Sequence, residues 1–186
     1  MGTPIVNGQN LENYRAFREK VREDPSFAVK MIKVDGRWES LTDGPHVKVI
    51  VSAPVGNVTL EFDEPDFLGG RGIAPNPNQY CLAGAIACYG STFTKWAGMR
   101  GVKIDSLTIT GHTEIDLHTN LGLEDKPVVG DMFFDLEIES PASQETLEEI
   151  KRTADERCPA VYCLTHPLNV LTVVKKNGYG RKAPRT

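Results

Sequence analysis

Residues 72–94 carry no charged side chain, and from residue 78 onward the run has apolar side chains on every helical face. Pro77 suits the first turn of a helix, where its missing N–H is not needed. A helix apolar all round is predicted to be buried rather than to lie on a surface. Ala83, Gly84, Ala87, Gly90 and Ser91 are small enough to let another backbone approach closely. A membrane span is not expected, because Pro75, Asn76, Pro77, Asn78 and Gln79 leave the apolar part too short. The remaining elements must therefore wrap this helix, and 186 residues suffice for one domain or one subunit of a tight dimer.

The pattern around the helix is mixed, which predicts an α+β fold. Asn10 can cap a first helix carrying Leu11, Tyr14, Phe17 and Val21 on one face, ended at Asp24–Pro25. Strands are expected over residues 27–34, with Asp35–Gly36 as a turn, then through Val47, Val49 and Val51, and through Val58, Leu60 and Phe62. Residues 66–77 read as a loop. Beyond the central helix, Val102 and Ile104 share one strand parity and Leu107, Ile109, Ile115 and Leu117 the other. That switch implies a break near Asp105–Ser106 in one long strand. Met132, Phe134, Leu136 and Ile138 mark another strand. Ser140–Pro141 opens a helix with Leu147, Ile150 and Ala154 inward, which Cys158–Pro159 interrupts. A short helix over residues 159–164 and a last strand over 168–174 complete the pattern. The organisation expected is a helical extension (1–25), one main domain (26–176) and a basic flexible tail (177–186). The basic cluster Lys175, Lys176, Arg181, Lys182 and Arg185 lies beside Gly178, Gly180 and Pro184 and reads as solvated chain.

A net charge of −4 argues against a nucleic-acid binder. The first 24 residues have no apolar signal core, and Val6 stands where a myristoylation start needs Ser or Thr. A cytoplasmic protein is expected, with no membrane partner. In a reducing compartment four cysteines are more plausibly reactive than a disulfide framework. The spacings Cys81–Cys88 and Cys158–Cys163 are not the CxxC of zinc ribbons or thioredoxin-like motifs, and no metal or other cofactor is expected. His112, Glu114, Asp116 and His118 share a strand face. They suit either a metal or, as read here, the solvent side of a half-buried strand. No serine lies in a nucleophile elbow, so a hydrolase is not expected.

Local chemistry leaves the cysteines open. Cys158 is predicted at the N-cap of the short helix, where free N–H groups and a neighbouring Arg157 favour a thiolate. It equally continues the inward face of Leu147, Ile150 and Ala154. Cys88 sits inside the apolar helix, where burial raises a thiol and makes it inert. Cys81 and Cys163 are read as packing residues.

The segment Pro75-Asn76-Pro77-Asn78-Gln79-Tyr80-Cys81-Leu82-Ala83-Gly84-Ala85-Ile86-Ala87-Cys88 closely resembles the P-x-P-x-[EQ]-x-x-L-A-A-x-x-A-C signature of the OsmC/Ohr family. These are the osmotically inducible and organic hydroperoxide resistance proteins. Cys158-Pro159 resembles the family's second signature, and the order of elements agrees over residues 27–174. The resemblance implies an OsmC-like fold, with antiparallel sheets on a long central helix in an intertwined homodimer. It also implies a peroxidatic Cys88, oxidised to sulfenic acid by a small organic hydroperoxide, a resolving Cys158, and reduction by an external dithiol. Where peroxidase members place a glutamate paired with an arginine, this chain has the amides Asn78 and Gln79, which hydrogen-bond an arginine without neutralising it. Arg37 and Arg71 are candidates for that arginine. Asn78, Gln79 and Tyr80 are the expected substrate-binding residues, and Phe93 and Trp96 suit a hydrocarbon group or the core. The alternative is an OsmC-like dimer that holds an acyl or other apolar ligand without turnover.

Overall fold

A computed structural model describes residues 5–39 and 43–176. Strands β1 (Ile5–Val6) and β2 (Gln9–Asn10) form a tight hairpin whose turn residues, Asn7 and Gly8, both have positive φ. An Asn-Gly pair suits such a turn, because both residues tolerate the left-handed region. The Asn7 amide then ties the hairpin inward. Its Nδ2 donates to the carbonyls of Thr94 (3.2 Å) and Val102 (2.8 Å), and its Oδ1 accepts from the N–H of Ile104 (2.9 Å). Helix α1 (Leu11–Glu23) follows, with the Asn10 side chain accepting the Asn13 N–H as expected.

Strands β3 (Asp35–Trp38), β4 (Val47–Ala53) and β5 (Gly56–Phe62) form one antiparallel sheet in the order β3-β4-β5. The strand expected over residues 27–34 is absent. Pro25–Ala28 is a 3₁₀ turn capped by Asp24, and residues 29–34 have no regular structure. Pairing begins only at Asp35–Gly36, where a turn was expected. Apolar alternation reports what a segment would bury, and nothing among the described residues covers Met31 or Ile32, each more than 90% exposed.

Helix α2 (Pro77–Met99) is the apolar run. Its first turn is closed by a capping box: Asn76 Oδ1 accepts the Gln79 N–H and Gln79 Oε1 accepts the Asn76 N–H, each at 2.9 Å. The helix lies on the antiparallel pair β6 (Ser106–Ile115) and β7 (Val129–Glu139). Gly111 of β6 permits the contact, since a Cβ there would stand 2.8 Å from Ile86 Cγ2. Helix α3 (Gln144–Arg157) covers α2 from another side, and α4 (Pro159–Thr165) follows directly. α3 starts later than expected because Ser143, not Ser140, accepts the capping N–H from Thr146. The Ser140 hydroxyl is bound to the Lys103 carbonyl instead.

The buried cluster is Tyr89, Phe93, Ala97, Ile150, Ala154 and Cys158, with Leu107, Ile109, Phe134, Leu136 and Ile138 packed against it. Burial of α2 is one-sided, contrary to expectation: Ala83, Gly84, Ala87 and Ser91 are exposed. One sheet and one helix enclose only part of its circumference. The last expected strand is also absent. Residues 166–176 have no regular structure, and Leu171 and Val174 are 90% and 94% exposed. The expected basic tail, residues 177–186, lies outside the described residues.

The break near Asp105–Ser106 is present, and residues 102–104 are held by Asn7 rather than by a strand. β6 ends at Ile115 after a register shift, so Asp116 and His118 leave the strand face that carries His112. His118 pairs with Asp116 and His112 with Asp135. Among the described residues no three His, Cys, Asp or Glu side chains converge on a metal site.

A buried carboxylate leads the chain into α2. Asp63 is 2% exposed and accepts the N–H groups of Glu64, Arg71 and Ile73 at 3.1–3.2 Å, with His46 Nδ1 at 3.1 Å. Burial alone would raise its pKa. The Ile73 and Arg71 N–H groups, the His46 charge and the Glu64 N–H outweigh that and hold it below the usual carboxylate value. A depressed carboxylate contributes stability above its unfolded value of about 4 and loses it as pH falls through the folded one. Asp63→Asn is therefore expected to lower stability at pH 7 and to flatten its decline below pH 4, measured by urea unfolding across pH. An unchanged acid limb would show that Asp63 does not govern it.

Candidate active site

Cys88 lies mid-way along α2 and Cys158 at the junction of α3 and α4. Seventy positions apart in sequence, their sulfurs are 3.6 Å from each other. The meeting follows from packing: Ile150 and Ala154 seat α3 beside Tyr89 and Phe93, which brings the α3–α4 corner onto the next face of α2. Pro159 cannot continue α3 in register, so the chain turns at Cys158 with its extended backbone (φ −79, ψ 119).

Cys158 is the N-cap residue of α4, as expected, but its sulfur caps nothing. The Ala160 N–H in the first turn of α4 acts on Cys88 instead, drawing its thiol down. Burial is the largest influence on Cys88 and raises its thiol. The Ala160 N–H opposes this, the adjoining Cys158 sulfur raises the thiol further, and the charge of Lys95 lowers it, with a net upward result. Two thiols in contact do not both ionise. Arg157 stands over the Trp96 ring, 4.8 Å from its centroid, rather than on either sulfur.

Within the described chain the charge that acts on Cys88 is that of Lys95. Arg37 is exposed on β3, and Arg71 is exposed on the loop whose backbone holds Asp63. Lys95 was not singled out by sequence reasoning, yet it is the first charge after the uncharged run and stands two helical turns from Cys88 on the same face. The Ala160 N–H was invisible, because it reaches Cys88 only through the packing of α4 on α2.

A cavity of about 910 Å³ opens between α2, β7 and α4, lined by neither Cys88 nor Cys158. Leu82, Met132, Phe133, Phe134, Val161 and Leu164 give it apolar walls, and Asn78, Cys81 and Cys163 also line it. Lys151 and Asp155 stand at one side, with the Tyr89 hydroxyl donating to Asp155 Oδ1 at 2.8 Å and Lys151 Nζ to Oδ2 at 2.8 Å. Burial, then the bond to Asp155, pushes Tyr89 far above the usual phenol value and keeps it a donor. Asn78 therefore faces the cavity. Gln79 is committed to the capping box, and Tyr80 packs at a tilt against Phe62 with ring centroids 4.2 Å apart. Phe93 is enclosed in the core.

The OsmC-like protein family matches residues 69–172, more than half of the chain. The chain belongs to the OsmC-like family. Among solved structures, the OsmC-like protein of Mycoplasma pneumoniae is 18% identical, with TM-score 0.55, over 73% of this chain and 87% of that one. The organic hydroperoxide resistance protein OsmC of Legionella pneumophila is 20% identical, with TM-score 0.53, over 74% and 92%. That of Elizabethkingia anophelis is 20% identical, with TM-score 0.53, over 74% and 89%. At these identities the likeness shows the OsmC-like fold. No curated protein matches the chain. Among the described residues no helix is long and apolar enough to cross a membrane.

Proposed function

We propose that this OsmC-like chain is a cysteine-based peroxidase that reduces small organic hydroperoxides. The observation that carries the reading is the pair of sulfurs 3.6 Å apart. The Cys88 thiolate attacks the hydroperoxide O–O bond, the alcohol leaves with a proton, and Cys88 becomes a sulfenic acid. The Cys158 thiol condenses with it and releases water. The sulfurs then close from 3.6 Å to the roughly 2.05 Å of a disulfide. An external dithiol restores both thiols, and a reducing compartment such as the cytoplasm would supply it. The apolar walls of the cavity suit a substrate with a hydrocarbon part, as does the hydroperoxide function named for two of the structural relatives.

The working unit proposed is a homodimer. Its support is the uncovered small-residue face of α2 (Ala83, Gly84, Ala87, Ser91) and the exposed apolar segments 29–34 and 168–174. Of the two amides, Asn78 and Gln79, that stand where the resemblance implies a glutamate, Asn78 faces the cavity.

One observation favours a second reading, a dimer that binds an acyl or other apolar ligand without turnover: Cys88 is not among the residues lining the cavity. Addition of cumene hydroperoxide separates the two. The peroxidase loses two thiols for each hydroperoxide reduced. A chain that leaves the hydroperoxide intact, keeps four thiols and takes up an apolar fluorescent probe is the binding protein.

A further inference from the structure

Residues 5–23 precede the segment that matches the OsmC-like family, residues 69–172, yet they are seated on α2. Leu11 is 3% exposed, and a Cβ on Gly98 of α2 would stand 2.9 Å from Leu11 Cδ1 and 3.3 Å from Val6 Cγ1. With the Asn7 amide bound to Thr94, Val102 and Ile104, this packing fixes α1 beside the last turns of α2. Tyr14 of α1 then meets Trp96 of α2 edge-on, with ring centroids 6.4 Å apart and planes at 78°. The Trp96 ring also carries the Arg157 guanidinium, 4.8 Å from its centroid. Arg157 is the last residue of α3 and adjoins Cys158. A continuous set of contacts therefore runs from α1 through Trp96 to the corner that places Cys158 on Cys88. That corner has little of its own to hold it. α4 has seven residues and no side-chain cap, and a helix so short is marginal without packing.

We propose that Trp96 is a positioning residue for the resolving step, and that the N-terminal helix, through Tyr14, holds Trp96 against Arg157. The inference rests on the peroxidase reading and concerns its second step. There the Cys158 thiolate attacks the sulfur of the Cys88 sulfenic acid. The S–S bond forms as the S–O bond breaks, and the hydroxide leaves as water with the proton that Cys158 gave up. Ring closure of this kind is fast only while the two sulfurs are held in reach and in line, so freedom at the corner slows it. Trp96 is half-buried and packs against the cluster that contains Cys158, which gives the guanidinium a fixed surface to rest on. Tyr14 is half-buried on α1 and backs that surface from outside the family segment.

The test is a competition. The reduced full-length chain receives one equivalent of cumene hydroperoxide in the presence of dimedone, and mapping gives the ratio of Cys88 dimedone adduct to Cys88–Cys158 disulfide. That ratio does not depend on how fast Cys88 is first oxidised. Trp96→Leu is expected to raise it about fivefold, the worth of one cation–π contact. Trp96→Phe, which keeps a ring face for Arg157, should return most of the loss. Tyr14→Leu should raise the ratio about twofold, as for one edge-on aromatic pair, and Tyr14→Phe should leave it at the wild-type value. Tyr14 lies outside the buried cluster, so its variants decide the matter if Trp96→Leu does not fold. Equilibration in glutathione buffers reads the same clamp without hydroperoxide: the value of [GSH]²/[GSSG] at which Cys88–Cys158 is half oxidised should fall in Trp96→Leu and Tyr14→Leu. Wild-type ratios in both leucine variants overturn the clamp and leave the peroxidase reading standing. A ratio that falls also overturns it, since Arg157 released from the ring would then be speeding closure, as does a phenylalanine variant no better than its leucine counterpart. A wild-type chain that gives neither adduct nor disulfide overturns the peroxidase reading and the resolving role together.

Discussion

Cys88→Ser is expected to lower the rate of hydroperoxide reduction at least about a hundredfold, because a serine hydroxyl stays protonated where a thiol ionises and is a poor nucleophile toward peroxide oxygen. The geometry separates this from the loss of its partner. Cys158→Ser keeps Cys88, its Ala160 N–H and Lys95, so the first attack proceeds and the sulfenic acid then has no adjoining thiol. That variant should consume one equivalent, stall, and yield a dimedone adduct on Cys88. The two variants fail at different steps. Equal residual rates in Cys88→Ser and wild type would remove Cys88 from the chemistry.

Phe93→Ala is expected to cost about 3–5 kcal/mol of folding stability, the range for deleting a buried aromatic side chain. Phe93 is 0% exposed and stands with Tyr89, Ile150 and Ala154, where α2 meets α3. Surrounding helices and sheet relax only in part, so most of the vacated space remains. Against a total of about 5–15 kcal/mol for a domain, this removes a large share. Urea unfolding at fixed protein concentration measures it, since association would otherwise shift the midpoint. A loss below about 1 kcal/mol would mean that Phe93 is not the centre of the core. Because the same packing holds Cys158 on Cys88, the variant should also form the disulfide more slowly.

Capping chemistry was legible in part: Asn10 was read as the N-cap of α1 and accepts an N–H three residues on, a bond that needs no tertiary context, whereas α3 is capped by Ser143 and not at Ser140 where it was expected to open. The strands carrying Val47 to Val51 and Met132 to Ile138 were legible for a similar reason, since alternation and a partner lie in the same chain. Residues 29–34 and 168–174 show where that logic stops. Their apolar pattern is as clear as that of β4, but the described residues supply no surface for it to cover. The His112 to His118 face failed differently, through a bulge that periodicity does not record.

The site was legible in its identities and not in its electrostatics. Local reasoning gave the helix N-terminus to Cys158, which occupies the cap, whereas the N–H that matters reaches across to Cys88. A sequence window contains one helix at a time, and this interaction belongs to two. Lys95 was within reach of helical spacing, while the removal of Arg157 to the Trp96 ring was not.

One observation in solution tests the Cys88–Cys158 pairing most directly. Reduced protein is mixed with one equivalent of cumene hydroperoxide, quenched with acid within seconds, digested and mapped without reductant. The first new species should be the peptide pair joined through Cys88 and Cys158. Hydroperoxide converted to alcohol while both residues are recovered as free thiols, or with Cys88 bonded to any other cysteine first, would contradict it.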